Sequence, residues 1–133
     1  MIYLDNASTS FPKAPCAGEA MARYMRKTGV NVARGGYELA LEAADTVLTL
    51  RERLCAAFGG ECAEGCVLTS GATFGLNMAL KGYLRPGDHV LVSAMEHNAV
   101  MRPLAQLAQA DVEIGRIPCA PDGTLDPADA RRL

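Results

Sequence analysis

The chain has 133 residues, half of them apolar and 21% charged, with a formal net charge of −2. That is one domain's worth of sequence, long enough for a core, and its scattered Lys and Arg exclude the basic stripe that binds nucleic acid. No membrane segment is expected, because the longest uncharged stretch, Gly65 to Leu80, is too short and too polar to span a bilayer.

The start, MIYLDNAS, meets Asp5 before a signal peptide's apolar core could form, so the expectation is a soluble, cytoplasmic protein. A polar turn, DNASTSFP, leads to a helix with Ala17, Ala20, Met21, Tyr24 and Met25 on one face and Pro15 suited to its first turn. Gly29 stops that helix, and the loop VNVARGG follows. From Tyr37 the pattern is helical again, with Ala40, Ala43, Val47, Leu50, Leu54 and Phe58 recurring at three- and four-residue steps until Gly59-Gly60. Cys66 to Thr69 reads as a short strand buried on both faces. Ala72 to Leu84 reads as a helix with Leu76, Ala79, Leu80 and Tyr83 inward. RPGD turns into a second strand, HVLVSAM.

EHNAVMRPLAQLAQA is a helix with Val100, Leu104, Leu107 and Ala108 on one side; Pro103 either kinks it or marks its first turn. A third strand covers Val112 to Ile117. Strand, helix, strand, helix, strand predicts a parallel sheet with right-handed crossovers. At the end, Asp126 caps a helix with Pro127 at its first position. That helix stops at Leu133 after about two turns, which reads as a truncated chain.

The five cysteines, Cys16, Cys55, Cys62, Cys66 and Cys119, are an odd count without a disulfide spacing. Cys62 and Cys66 form a C-x3-C pair, but no second pair completes a zinc site, so they read as reduced thiols with no metal.

Ligands of open α/β sheets sit beyond the carboxyl ends of the strands. Ser70-Gly71-Ala72-Thr73 falls there, where free helix N–H groups, the dipole and the Thr73 hydroxyl suit a phosphate. The same residues also suit a capped helix with nothing bound. The usual nucleotide loops are absent: there is no G-x-G-x-x-G, and Gly82 to Gly87 is followed by Asp88. His97, after the second strand, could lie over a planar ring or move a proton, or serve only the loop. Arg34, in its Gly-flanked loop, could clamp a carboxylate or simply be solvated. His89 sits at the wrong end of its strand for such work.

Four segments together carry a resemblance. MIYLDNASTSFPKA resembles the Y-L-D-N-A-A-T-T opening of cysteine desulfurase-like, class V aminotransferase fold enzymes, which depend on pyridoxal phosphate. GVNVARGGYELALEAAD resembles their N-x-x-R-G substrate loop, TSGATFGLNMALKG their S-G-A-T-E phosphate turn, and EHNAVMRPL their E-H-N/H-x-V segment. The resemblance implies a three-layer αβα architecture with a mainly parallel sheet, the N-terminal part of the fold type I pyridoxal-phosphate transferase large domain. Residues 1–35 would be an N-terminal segment and substrate loop, and 36–133 the first part of that domain.

It further implies that Ala72 and Thr73 hold the cofactor phosphate and that His97 stacks on the pyridine ring and shuttles protons. Asn6 and Arg34 would lie near a small, cysteine-like amino-acid substrate, with Arg34 reaching a neighbouring subunit of a homodimer. The implied activity of the complete enzyme converts L-cysteine to L-alanine, leaving a persulfide for a sulfur-acceptor protein. Selenocysteine lyase or aminotransferase activity would use the same residues. The chain departs from the pattern at Phe74, in place of Glu, at Tyr37, where His is common, and at Ser8 and Ser10. Its lysines, Lys13, Lys27 and Lys81, match no Schiff-base position, and none of its cysteines matches the nucleophile. The expectation is therefore an enzyme fragment, inactive alone; the alternative is a non-catalytic domain that binds a phosphorylated ligand or a partner.

Overall fold

The computed structural model describes residues 2–32 and 34–133. Contacts divide the chain into two compact units, Met1–Val67 and Leu68–Leu133.

The first unit opens on a turn tied by its own side chains. The Tyr3 hydroxyl donates to the Thr9 carbonyl at 3.0 Å, and the Tyr3 and Phe11 rings lie 5.5 Å apart. Helix α1 (Ala17–Lys27) has Glu19 in its first turn and Arg26 and Lys27 in its last, which complements the helix dipole. No residue of α1 is buried, and Met21 and Met25 on its apolar face are 66% and 70% exposed. Helix α2 (Glu38–Phe58) buries Ala40 and Ala43 near its start, whereas Phe58 near its end is 85% exposed. Gly59 closes α2 in the left-handed conformation, φ 68°, where a side chain would be strained. A single 3-10 turn, Ala63–Gly65, follows.

The strand expected over Cys66 to Thr69 does not form among the described residues. Cys66 is extended, with φ −87° and ψ 103°. Yet Val67 and Leu68 are 59% and 42% exposed, and no neighbouring strand pairs with the segment. An extended backbone becomes a strand only when a ladder takes up its N–H and C=O groups.

The second unit runs α3 (Ala72–Tyr83), β1 (His89–Ser93), α4 (Asn98–Ala108), β2 (Glu113–Ile117) and α5 (Pro127–Arg132). Strands β1 and β2 pair in parallel, His89 opposite Glu113 through Ser93 opposite Ile117. The sequence pattern therefore gives the class, α/β with a parallel sheet, joined across α4. A tight turn precedes β1, where the Arg85 N–H donates to the Asp88 carboxylate at 2.7 Å, and the strand pairing continues past Ser93 with the Ala94 N–H donating to the Ile117 carbonyl at 2.9 Å. Opposite Leu91 stands Gly115, where a Cβ would lie 2.5 Å from the Leu91 side chain and 2.8 Å from the His89 ring. His89 thus packs across the strand pair, at the end away from the candidate site.

The core of this unit is Leu84, Val92, Leu104 and Val112, flanked by Leu80, Val90, Val100, Met101, Leu107 and Ile114. Pro103 lies inside α4 rather than at its start, and with Leu104 it is among the largest fully buried side chains. It forgoes one helical hydrogen bond while placing an apolar ring in the interior. Ala108 is exposed; Ala99 and Pro103 extend the buried face instead. On α3, Leu80 reaches the core, while Tyr83 is 83% exposed.

Before α5, the Asp122 carboxylate accepts from the Thr124 N–H at 3.0 Å and from its hydroxyl at 2.7 Å. Those two bonds hold the Asp122 carboxyl below the ordinary carboxylate range. A depressed folded pKa gives stability that is present above the unfolded value, about 3.9, and is lost as pH falls through the folded one. Carboxyl chemical shifts followed by NMR should show Asp122 titrating below the ordinary carboxylate range. Thr124→Val, which removes the hydroxyl donor and keeps the backbone N–H, should raise its midpoint part of the way. An Asp122 midpoint within the ordinary range in the unsubstituted chain would dismiss this account of the turn. The Asp126 side chain accepts from the Ala128 N–H at 2.8 Å, which starts α5 as its sequence predicts.

Candidate functional site

Small residues build the turn that opens α3. The Gly71 carbonyl accepts the first intrahelical bond, from the Gly75 N–H at 3.0 Å, and also the Thr69 hydroxyl at 3.1 Å. A Cβ on Gly75 would come within 3.3 Å of that hydroxyl, so the glycine leaves room for the Thr69 bond. Gly71 itself faces open space, with nothing within 4 Å of where a Cβ would be. No side chain caps the helix, and the N–H groups of Ala72, Thr73 and Phe74 have no acceptor among the described residues.

These groups border an open hollow of about 560 Å³, lined by Ser70, Gly71, Ala72, Thr73, Phe74 and Asn77. The Asn77 side chain donates to the Thr73 carbonyl at 3.0 Å, which fixes it beside the first turn. None of the lining residues is acidic. Free N–H groups at the positive end of a helix dipole, two hydroxyls and no opposing carboxylate form a donor set suited to an anion.

His97 is the N-cap of α4, and its Nδ1 accepts from the Ala99 N–H at 3.0 Å. That bond assigns the neutral ring's proton to Nε2. The preceding turn is held by the Ser93 hydroxyl, which donates to the Glu96 carboxylate at 2.8 Å. The imidazole is exposed, so its Nε2 edge is free to meet a ligand.

Chain geometry brings these two turns to one end of the second unit. Helix α3 returns antiparallel to β1 through the short turn at residues 84–88. Its 12 residues rise about 18 Å, close to the roughly 17 Å of the five residues of β1. Ala72 is therefore level with the carboxyl end of β1, from which the chain runs directly to His97. Helices α3 and α4 pack against each other, and the hollow at the start of α3 is lined without His97.

Asn6 and Arg34 belong to the first unit. Both ends of the Asn6 amide are engaged locally: Nδ2 donates to the Tyr3 carbonyl at 3.4 Å, and Oδ1 accepts from the Phe11 N–H at 3.1 Å. Arg34 is exposed on its loop. Next to it, Gly35 lies under the Tyr37 ring, where a Cβ would approach to 2.4 Å. Sequence reasoning assigned no role to Thr69, Gly75 or Asn77, which set the shape of the α3 turn. A hydroxyl two residues before an N-terminal carbonyl was the available signal.

The fold and the turn define an α/β protein whose parallel strands lead towards helix starts, one of them an uncapped, acid-free N-terminus. A family model for aminotransferase class V matches residues 2–133, and the chain belongs to that family. Among curated relatives, a probable cysteine desulfurase of Halobacterium salinarum is 37% identical over 131 residues, covering 95% of this chain and 31% of that protein. A probable cysteine desulfurase of Vibrio cholerae serotype O1 is 31% identical over 138 residues, 100% of this chain and 34% of that protein. The apo structure of cysteine desulfurase from Thermococcus onnurineus NA1 superimposes with a TM-score of 0.85 at 28% identity, covering 98% of this chain and 33% of that one. The chain thus spans about a third of the length of these relatives.

Proposed function

We propose that this chain is the cofactor-phosphate part of a pyridoxal-phosphate-dependent, cysteine desulfurase-like enzyme. The observation that carries the reading is the start of α3, with three free N–H groups, the Ser70 and Thr73 hydroxyls and no acid in the lining. The donor set fits a phosphate, and in an aminotransferase class V protein the phosphate to expect is that of pyridoxal phosphate. Ala72 and Thr73 would hold it through their N–H groups, with the Thr73 hydroxyl adding a further donor. Phe74 contributes its backbone N–H, so the loss of the family's Glu at that position leaves these contacts in place.

The cofactor, when bound, supplies the electron sink that lets an amino-acid substrate react at its α-carbon. This chain's residues bind, orient and move protons. The Nδ1 bond to Ala99 fixes the plane of the His97 ring; its face would cover the pyridine ring and its Nε2 would hold a transferable proton. Arg34 would pair with the substrate carboxylate, from its own subunit or a neighbouring one in a homodimer. Asn6 would lie at the substrate's edge, its amide held in place by Tyr3 and Phe11. Cysteine is the substrate this reading favours, with a cytoplasmic acceptor protein taking the sulfur.

Lys13, Lys27 and Lys81 are the chain's three lysines. Lys13 donates to the Thr9 hydroxyl in the N-terminal turn, Lys27 ends α1, and Lys81 is in the last turn of α3, remote from that helix's start. None matches the family's Schiff-base position, so residues 1–133 alone are expected to show no turnover. Borohydride reduction of the naturally produced polypeptide with pyridoxal phosphate, followed by peptide mapping, tests this. The expected label lies on a lysine outside residues 1–133. A native product that ends near Leu133 with no labelled lysine would defeat the catalytic reading, as would a stoichiometric label on Lys13, Lys27 or Lys81.

A further inference from the structure

Away from the α3 turn, three of the five cysteines gather in the first unit. Cys55, in the last turn of α2, and Cys62 and Cys66, on either side of the 3-10 turn, line one cavity of about 390 Å³ with Leu54, Phe58 and Glu61. All three are free thiols; Cys62 is exposed, and Cys55 and Cys66 are half-buried. The Cys55 thiol donates to the Cys62 carbonyl oxygen at 2.8 Å.

The chain reversal after α2 produces this arrangement. Gly59 turns the backbone left-handed, and the Gly60 N–H bonds the Cys55 carbonyl at 2.8 Å. A Cβ on Gly60 would stand 3.1 Å from the Cys55 sulfur, so the missing side chain leaves space for that thiol. The Cys62 sulfur lies over the 3-10 turn, 3.7 Å from where a Cβ on Gly65 would be. Among the described residues, no three His, Cys, Asp or Glu side chains converge as a metal ion would require. A Cys55 thiol bonded to the Cys62 backbone, with a more exposed Cys62 thiol on the same cavity, suits exchange chemistry instead.

We propose that Cys55 and Cys62 form a thiol–disulfide exchange pair, in which Cys62 is the entry thiol for a small-molecule disulfide. The Cys62 thiolate attacks one sulfur of that disulfide. A mixed disulfide forms, and the first small thiol leaves with the proton given up by Cys62. Cys55 then loses its proton to solvent and attacks the Cys62 sulfur. The Cys55–Cys62 bond forms, and the second small thiolate leaves and takes up a proton. Two protein thiols are oxidised while one disulfide is reduced to two thiols. This site is independent of the cofactor reading.

Desolvation is the first cause that pushes the Cys55 thiol above its ordinary range, followed by the neighbouring Cys66, Cys62 and Glu64. Cys55 therefore keeps its proton, and its bond to the Cys62 carbonyl, to higher pH than an isolated thiol. The second exchange step waits for Cys55 to ionise, so the mixed disulfide on Cys62 persists longest on the acid side.

The test incubates the full chain with oxidised glutathione, blocks remaining thiols, and maps unreduced peptides after cleavage at Glu61 and Glu64, which separates the three cysteines. The expected product is a peptide pair joined through Cys55 and Cys62, retained in Cys66→Ser. In Cys55→Ser the bridge should be lost and glutathione should remain on Cys62. An unmodified Cys62, or a bridge through Cys66, Cys16 or Cys119, would overturn the proposal. The wild-type map stands by itself if a variant folds poorly.

Discussion

Leu104→Ala is expected to lower the free energy of unfolding by about 2–5 kcal/mol. Leu104 has no accessible surface and shares one core cluster with Leu84, Val92 and Val112. Truncation removes the transfer free energy of the lost methyl groups and leaves a void. Collapse onto that void is resisted by Pro103, whose buried ring occupies the preceding position of the helix. Urea unfolding should show a lower midpoint with an unchanged slope. Phe58→Ala makes a fair control, because that ring is 85% exposed and a surface truncation changes stability by no more than about 0.5 kcal/mol. If both variants unfold at the wild-type midpoint, Leu104 is not at the centre of a core.

Thr73→Asp should move stability and binding in opposite directions. Thr73 is in the first turn of α3, where a carboxylate meets the positive end of the helix and adds about 0.3–1 kcal/mol. The same carboxylate would stand where the cofactor phosphate is proposed to sit. Repulsion between unit charges at 4 Å ranges from about 1 kcal/mol in bulk water to about 4 near a protein surface. Thr73 is exposed, which favours the lower half of that range, so pyridoxal phosphate affinity should fall on the order of tenfold or more. Equilibrium dialysis of the complete protein against pyridoxal phosphate, beside thermal unfolding of the same variant, reads both effects. Unchanged affinity in a well-folded Thr73→Asp would move the phosphate away from this turn; Thr73→Ser, which keeps the hydroxyl, should bind as the wild type does.

Much of the second unit was legible because its signals are local. RPGD placed the turn before β1, Asp126-Pro127 opened α5, and the apolar spacing of α4 picked out Leu104. Spacing alone did not tell which part of an apolar face would be covered. Ala40 and Ala43 are buried at the start of α2, while Phe58, on the same periodic face, is exposed. The miss at Cys66 to Thr69 has the same origin. An apolar run states a preference for extension and burial, but strand formation depends on a neighbour, and none pairs there. At the candidate site, the proposed roles of Ala72, Thr73 and His97 were readable from motifs. The roles of Thr69 and Gly75 were not, because a hydroxyl bond to a carbonyl and the clearance for it appear only in three dimensions.

The four-residue core of the second unit is wholly aliphatic, and no polar or charged side chain is buried among the described residues. No interior proton has to be gained or lost when the unit unfolds, so acid and base act on it only through surface groups such as Asp122. Across the neutral range the core of this unit is therefore electrically silent. Buffer composition can be varied to interrogate the His97 imidazole, and a response seen there reports the group itself rather than a loosening of the packing beneath it.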